Sequence, residues 1–190
     1  MIQFLSSLNN QIFFSLNSLR ETSPILEDII LFFAKNLDLW FLAFGVAVSF
    51  FVFFHFKIIW EQLISRKSFF HGIFLGGTLV TSWFFTVIIK NTIAAPRPFL
   101  RFDEFTPLFD HGGFNSFPSG HATVFAALGA FLFFQNKKIG IFFLVIGFCI
   151  ALARVASGIH FPIDILAGFV LGVVTVFVTR KVFKKQTRSY

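Results

Sequence analysis

Apolar runs without charge, separated by short polar stretches, dominate the chain. Residues 68–89 form a run of 22 without Asp, Glu, Lys or Arg, bounded by Lys67 and Lys90. At about 1.5 Å per residue, such a helix crosses the roughly 30 Å hydrocarbon core of a bilayer. Residues 39–56 give a second stretch, 18 long. It follows 25–35 across Asn36 and Asp38, so 25–56 reads as one long or broken helix whose second part crosses. Pro96 and Pro98 stop the helix over 68–89, because proline lacks the amide donor and clashes with the preceding turn. A loop rich in Phe, Asp and Gly covers 99–117, and Pro118 opens a helix that runs to Phe134. After the polar turn Gln135-Asn136-Lys137-Lys138, an apolar run over 139–153 ends at Arg154, and Ser157-Gly158 breaks it. Pro162 suits a first helical turn, and 163–179 run apolar to Arg180. These last two runs fall short of the core thickness, so their helices must extend into the polar flanks with Lys and Arg reaching outward.

At the other end, Ile2, Leu5, Leu8, Ile12 and Leu16 recur at spacings of three and four among small polar residues. Residues 2–19 therefore read as an amphipathic helix in the membrane interface, with a sixth crossing as the alternative. The prediction is an all-α integral membrane helical bundle of five to six transmembrane helices. It forms a single membrane-embedded domain over 1–190, with 1–24 as the interfacial segment and 181–190 as a basic cytoplasmic tail.

Composition agrees. Of the 190 residues, 56% are hydrophobic and 13% charged, and mean hydropathy is +0.79. A soluble domain of this size would lack the polar surface to cover itself. The net charge of +7 does not make nucleic acid an expected partner, because the basic residues sit between apolar runs rather than on one solvated face. The single cysteine, Cys149, excludes an intramolecular disulfide and a cysteine metal site; it is expected to be a buried small apolar side chain. No basic start or small-residue cleavage site marks a signal peptide, so the start is expected to remain in the mature protein.

Charge sorts by side. One side receives Lys57, Arg66, Lys67, Lys137, Lys138, Arg180, Lys181, Lys184, Lys185 and Arg188, with Glu61 as its only acid. The other receives Arg20, Lys35, Lys90, Arg97, Arg101 and Arg154 with the remaining acids. The positive-inside bias puts the C-terminus in the cytoplasm and the second face outside it.

That outer face collects the chemistry. Lys90 ends one span and His121 starts the next; Arg154 ends the following return span and His160 starts the last. Lys90 and Arg154, each alone, read first as snorkelling side chains, but convergence with Arg97 favours an anion site. Arg97 lies between prolines and offers a planar fork suited to phosphate oxygens. Pro118-Ser119-Gly120-His121 opens a helix whose free amides favour an anion. Gly120 permits close backbone approach, and the Ser119 hydroxyl caps the helix or donates to phosphate. His121 is placed to protonate a leaving oxygen. His160 and Asp164 are four residues apart, so the carboxylate can hold the imidazole tautomer, unless it is a plain helix-start carboxylate. An imidazole so held can attack phosphorus. A metal site is the rival reading of two histidines and an aspartate, disfavoured by the surrounding cations. His55 and His71 read as structural or interfacial, His111 as lining the entrance, and Asp103, Glu104 and Asp110 as solvating the loop.

Three stretches, Lys90 to Pro98 (KNTIAAPRP), Pro118 to His121 (PSGH) and Arg154 to Asp164 (RVASGIHFPID), resemble the type 2 phosphatidic acid phosphatase family of membrane lipid phosphatases. The resemblance implies that Lys90, Arg97, Ser119, Gly120 and Arg154 hold phosphate. It also implies that His160 forms a phosphohistidine supported by Asp164, that His121 protonates the leaving group, and that no metal or other cofactor is needed. The implied substrate is a lipid phosphate or diphosphate. The small size, outward site and Pro-Arg-Pro-Phe stretch resemble the undecaprenyl-diphosphatase branch. Phosphatidylglycerophosphate, phosphatidic acid and lipid A phosphates stay open, as does oligomeric state. The family usually has serine before the third-stretch arginine; here it is Ala153, one donor fewer. That alanine is the support for a different class, a non-catalytic lipid-binding protein. A transporter fits less well, because the charges sit at helix ends rather than at the midplane.

Overall fold

The computed structural model describes residues 2–36, 66–102 and 105–186, and the described residues form helices without a strand. Helix α1 spans Ile2–Asn17 and passes through a 3-10 turn, Ser18–Glu21, to α2 at Pro24–Leu31. A π turn over Phe32–Asn36 follows. The crossing expected at 39–56 lies outside the described residues. Helix α3 covers Arg66–Ile93, and the short α4 covers Pro98–Arg101. Then come α5 (Gly120–Phe133), α6 (Lys137–Ala156) and α7 (Pro162–Gln186).

The breaks fall where the chemistry dictates. Arg97 is extended (φ −75°, ψ 161°) between its prolines, and Pro98 is the first residue of α4. The Asn136 side chain accepts from Lys138 N (3.0 Å) and Ile139 N (3.2 Å), which starts α6 inside the polar turn. Both α6 and α7 run past their apolar cores into the flanks, as their length required. One boundary differs: α5 begins at Gly120, with Ser119 as its N-cap and Pro118 outside the helix.

Among the described residues, three stretches are long and apolar enough to cross a membrane: Gly72–Arg101, Lys137–Ala156 and Pro162–Val182; Gly120–Phe133 is a shorter apolar helix. Helix α5 is the axis of the bundle, packed against α3, α6 and α7. Small residues permit this. A Cβ on Gly168 would lie 2.6 Å from Ser119 O, and one on Gly172 only 2.3 Å from Thr123 O, so α7 rests directly on the α5 backbone. Hydroxyls hold α3 to α7, with Thr78 Oγ1 3.2 Å from Thr179 Oγ1.

Outward faces carry large apolar side chains such as Val80, Phe84, Phe142, Val170 and Phe177, suited to acyl chains rather than water. Cys149 corrects the sequence reading: it is exposed on α6, not buried. An apolar run shows that a residue avoids water; it does not show whether protein or lipid covers it.

Helix α1 is more than an interfacial float. It packs on α6 and α7, and Phe13 is fully buried in a cluster with Ala122, Ala151, Val155, Phe161 and Ile165. That cluster lies at the end of the bundle where the site forms.

Candidate active site

The turn between α6 and α7 carries His160. Gly158 has φ +84°, the left-handed conformation that ends a helix. Ile159 N donates to Arg154 O (3.2 Å) and Gly158 N to Val155 O (2.9 Å), the paired bonds of a Schellman stop. Ile159 is fully buried and anchors the turn. His160 therefore leaves α6 in a fixed direction and is itself buried.

Asp164 serves two ends. Its Oδ2 accepts from Phe161 N (2.8 Å), a reciprocal cap on the first turn of α7. The same oxygen lies 3.3 Å from His160 Nδ1. Asp164 thus lies both at the start of α7 and against the imidazole, and the two positions do not compete. With Nδ1 facing a carboxylate, that nitrogen carries the proton and Nε2 keeps its lone pair.

Sequence reasoning missed a third member, Ser116. It is fully buried, and its Oγ donates to Asp164 Oδ2 at 2.6 Å and lies 3.3 Å from His160 Nδ1. Its position three residues before Ser119 was the available signal, but nothing in the local pattern separates it from a loop serine.

Guanidinium groups stand at both imidazoles. Arg97 Nη1 is 3.5 Å from His160 Nε2 and donates to Ile159 O at 2.7 Å; its Nε donates to Gly112 O. Arg154 Nη1 is 3.4 Å from His121 Nε2 and donates to Ala34 O at 2.7 Å. Both arginines are buried. The Ala34 carbonyl belongs to the π turn over Phe32–Asn36, so a segment far from α6 in sequence orients a site arginine. Ala153 packs with Ile30, Ala34 and Ala156 in the same place. A small apolar residue there lets the π turn close on α6, which gives a packing reason for the missing serine.

Lys90, half-buried, donates to Asn115 O and Ser116 O and so ties α3 to the loop that carries Ser116. Ser119 Oγ is buried and without a hydrogen-bond partner among the described residues; it does not cap α5. Its amide donates to Asp164 O (3.0 Å), so that nitrogen, on the N-cap residue, is not free for an anion. Gly120 has a packing reason as well, since a Cβ there would lie 3.0 Å from Trp83 Cζ3.

His111 is closer to the chemistry than an entrance residue. Its Nε2 lies 3.5 Å from Arg154 Nη2, and its ring meets Phe109 edge to face. Burial, with Arg97 and Arg154 next, lowers its pKa from 6.5 to about 4. Burial first, then Arg154 and Arg97, pushes His160 well below the usual histidine range. Both rings are neutral near pH 7. Asp103 and Glu104 lie outside the described residues, as does His55, and the His71 side chain is not described. No cluster of metal-ligating side chains occurs among the described residues.

The geometry is therefore one buried imidazole held by a carboxylate and a hydroxyl, a second imidazole near enough to act on it electrostatically, and guanidinium donors at both. The chain matches the PAP2 superfamily over residues 71–188, and it belongs to that family of membrane phosphatases. It is 28% identical to the Bacitracin transport permease protein BcrC of Bacillus licheniformis, over 90% of this chain and 78% of that one. It is 26% identical to the Undecaprenyl-diphosphatase BcrC of Bacillus subtilis, over 90% and 81%. Among solved structures, that of Aquifex aeolicus LpxE superposes with a TM-score of 0.67 at 22% identity, covering 92% of this chain and 95% of that one. The fold is shared; the substrate does not follow from it.

Proposed function

We propose that the chain hydrolyses undecaprenyl diphosphate to undecaprenyl phosphate and inorganic phosphate through a phosphohistidine at His160. The carrying observation is the pair of imidazoles with a guanidinium at each Nε2, Arg97 at His160 (3.5 Å) and Arg154 at His121 (3.4 Å). In this reading the terminal phosphoryl group sits between the two rings. Its oxygens take donors from Arg97, Arg154, Lys90 and the unpartnered Ser119 hydroxyl, with Gly120 beside them. The His160 Nε2 lone pair attacks phosphorus, and the bond from phosphorus to the bridging oxygen breaks. His121 gives its proton to that oxygen. Asp164 and Ser116 hold the Nδ1 proton and stabilise the charge that the ring gains. Water then attacks the phosphohistidine, its proton passes to His121, and phosphate leaves with His160 restored.

The low basicity of buried His160 supports a neutral nucleophile at physiological pH. Long coverage of relatives with the BcrC name supports a polyprenyl diphosphate over phosphatidylglycerophosphate, phosphatidic acid or lipid A phosphates. The charge bias supports a site on the non-cytoplasmic face of the cell membrane, with the C-terminus in the cytoplasm. One domain over 1–190 fits α1 and α2 packing on the bundle.

The test is phosphate release by purified protein from undecaprenyl diphosphate, phosphatidic acid and phosphatidylglycerophosphate, beside His160→Ala. Undecaprenyl diphosphate is expected to give the highest kcat/KM, and His160→Ala to lower kcat more than about a thousandfold. Release that survives His160→Ala removes the nucleophile assignment, and no release from any of the three leaves the non-catalytic lipid-binding reading.

A further inference from the structure

Helix α1 lies wholly before the residues that match the family, yet it touches both helix ends that flank His160. Asn9, Phe13 and Asn17 recur at four-residue spacing and so share one face of α1. Asn17, buried, donates from Nδ2 to Ala156 O at 2.7 Å. Ala156 is the last residue of α6, and its carbonyl has no helical partner of its own. Asn9 Oδ1 accepts from Ile163 N at 3.0 Å. That amide lies in the first turn of α7, where the residue before Pro162 is Phe161, which has no side-chain acceptor to cap it. Between the two asparagines, the Phe13 ring packs on Phe161 (centroids 5.3 Å) and on Phe105 (5.2 Å).

We propose that α1 is a clip on the His160 turn, with Asn9 and Asn17 as positioning residues for the reaction. One asparagine satisfies the end of α6 and the other the start of α7. The five residues from Ser157 to Phe161 are thereby held at both ends, and His160 is held among them. The Schellman bonds fix the local shape of the turn; the clip fixes where that shape sits relative to Arg97 and His121.

The two asparagines act with opposite polarity, and this gives a test by near-isosteric change. Asn9 accepts, so Asn9→Asp keeps its bond. Asn17 donates, so Asn17→Asp loses its bond. On the full-length protein, kcat and KM for undecaprenyl diphosphate are measured beside hydrogen exchange of the amides over 157–163. Asn17→Asp and Asn9→Leu are each expected to lower kcat about fivefold or more with little change in KM, by the usual worth of a helix cap. Both should speed exchange over 157–163 relative to the middle of α6. Asn9→Asp should stay within about twofold of wild type in both. Equal losses in the two Asp variants would assign the effect to added charge and overturn the clip, as would unchanged kcat and exchange in Asn17→Asp. Because the substrate rests on the proposed function, a wild type inactive on that lipid removes that reading alone, and the exchange data still decide the clip.

Discussion

Ser116→Ala isolates the third member of the His160–Asp164 pair. The hydroxyl is fully buried and donates to Asp164 Oδ2 at 2.6 Å. A hydrogen bond to a charged group contributes about 1.5–3 kcal/mol. Phe161 N and His160 Nδ1 remain on the same oxygen at 2.8 and 3.3 Å, so the carboxylate is not stranded and the low end, about 1.5 kcal/mol, applies. The bond stabilises the carboxylate that faces the imidazole as it gains charge, so its loss falls on the transition state. That corresponds to about a tenfold lower kcat. Ser116 lies on the Nδ1 side of His160, away from the Nε2 that faces Arg97, so KM should move less than about twofold. The assay is steady-state phosphate release from micellar lipid substrate. A kcat within about twofold of wild type, or a loss confined to KM, would refute the three-member arrangement.

Other outcomes follow from the same geometry. Because the His111 pKa falls from 6.5 to about 4 on folding, the unfolded chain binds more protons in that window; stability should drop as pH falls through it, and His111→Gln should make the drop shallower in thermal unfolding. Gly172→Ala should destabilise by about 1–3 kcal/mol, since its Cβ would meet the α5 backbone at Thr123 O, 2.3 Å away, and at Ala127 N, 2.8 Å away; unfolding in detergent would show it. Asp110→Cys in a Cys149→Ser background should react with an impermeant thiol reagent from the non-cytoplasmic side only, Asp110 being exposed in the loop; reaction solely from the cytoplasm would invert the orientation.

Taken alone, the sequence determined the helical class, the breaks that separate α3, α6 and α7, and the face to which their motif-bearing ends return. Bilayer thickness fixes run length, prolines and Gly158 fix the breaks, and alternate crossings return Lys90, Arg97, His121, Arg154 and His160 to one end whatever the helix packing. Only the tertiary structure decided which atom faces which. Ser116 joins Asp164, the Ala34 carbonyl orients Arg154, His111 enters the site, and Asn9 and Asn17 cap helices far from them in sequence. Backbone carbonyls and caps supplied from another helix leave no local pattern, because any residue has the carbonyl and a lone asparagine has many uses. Cys149 failed for the related reason that covering by lipid and covering by protein look alike in an apolar run.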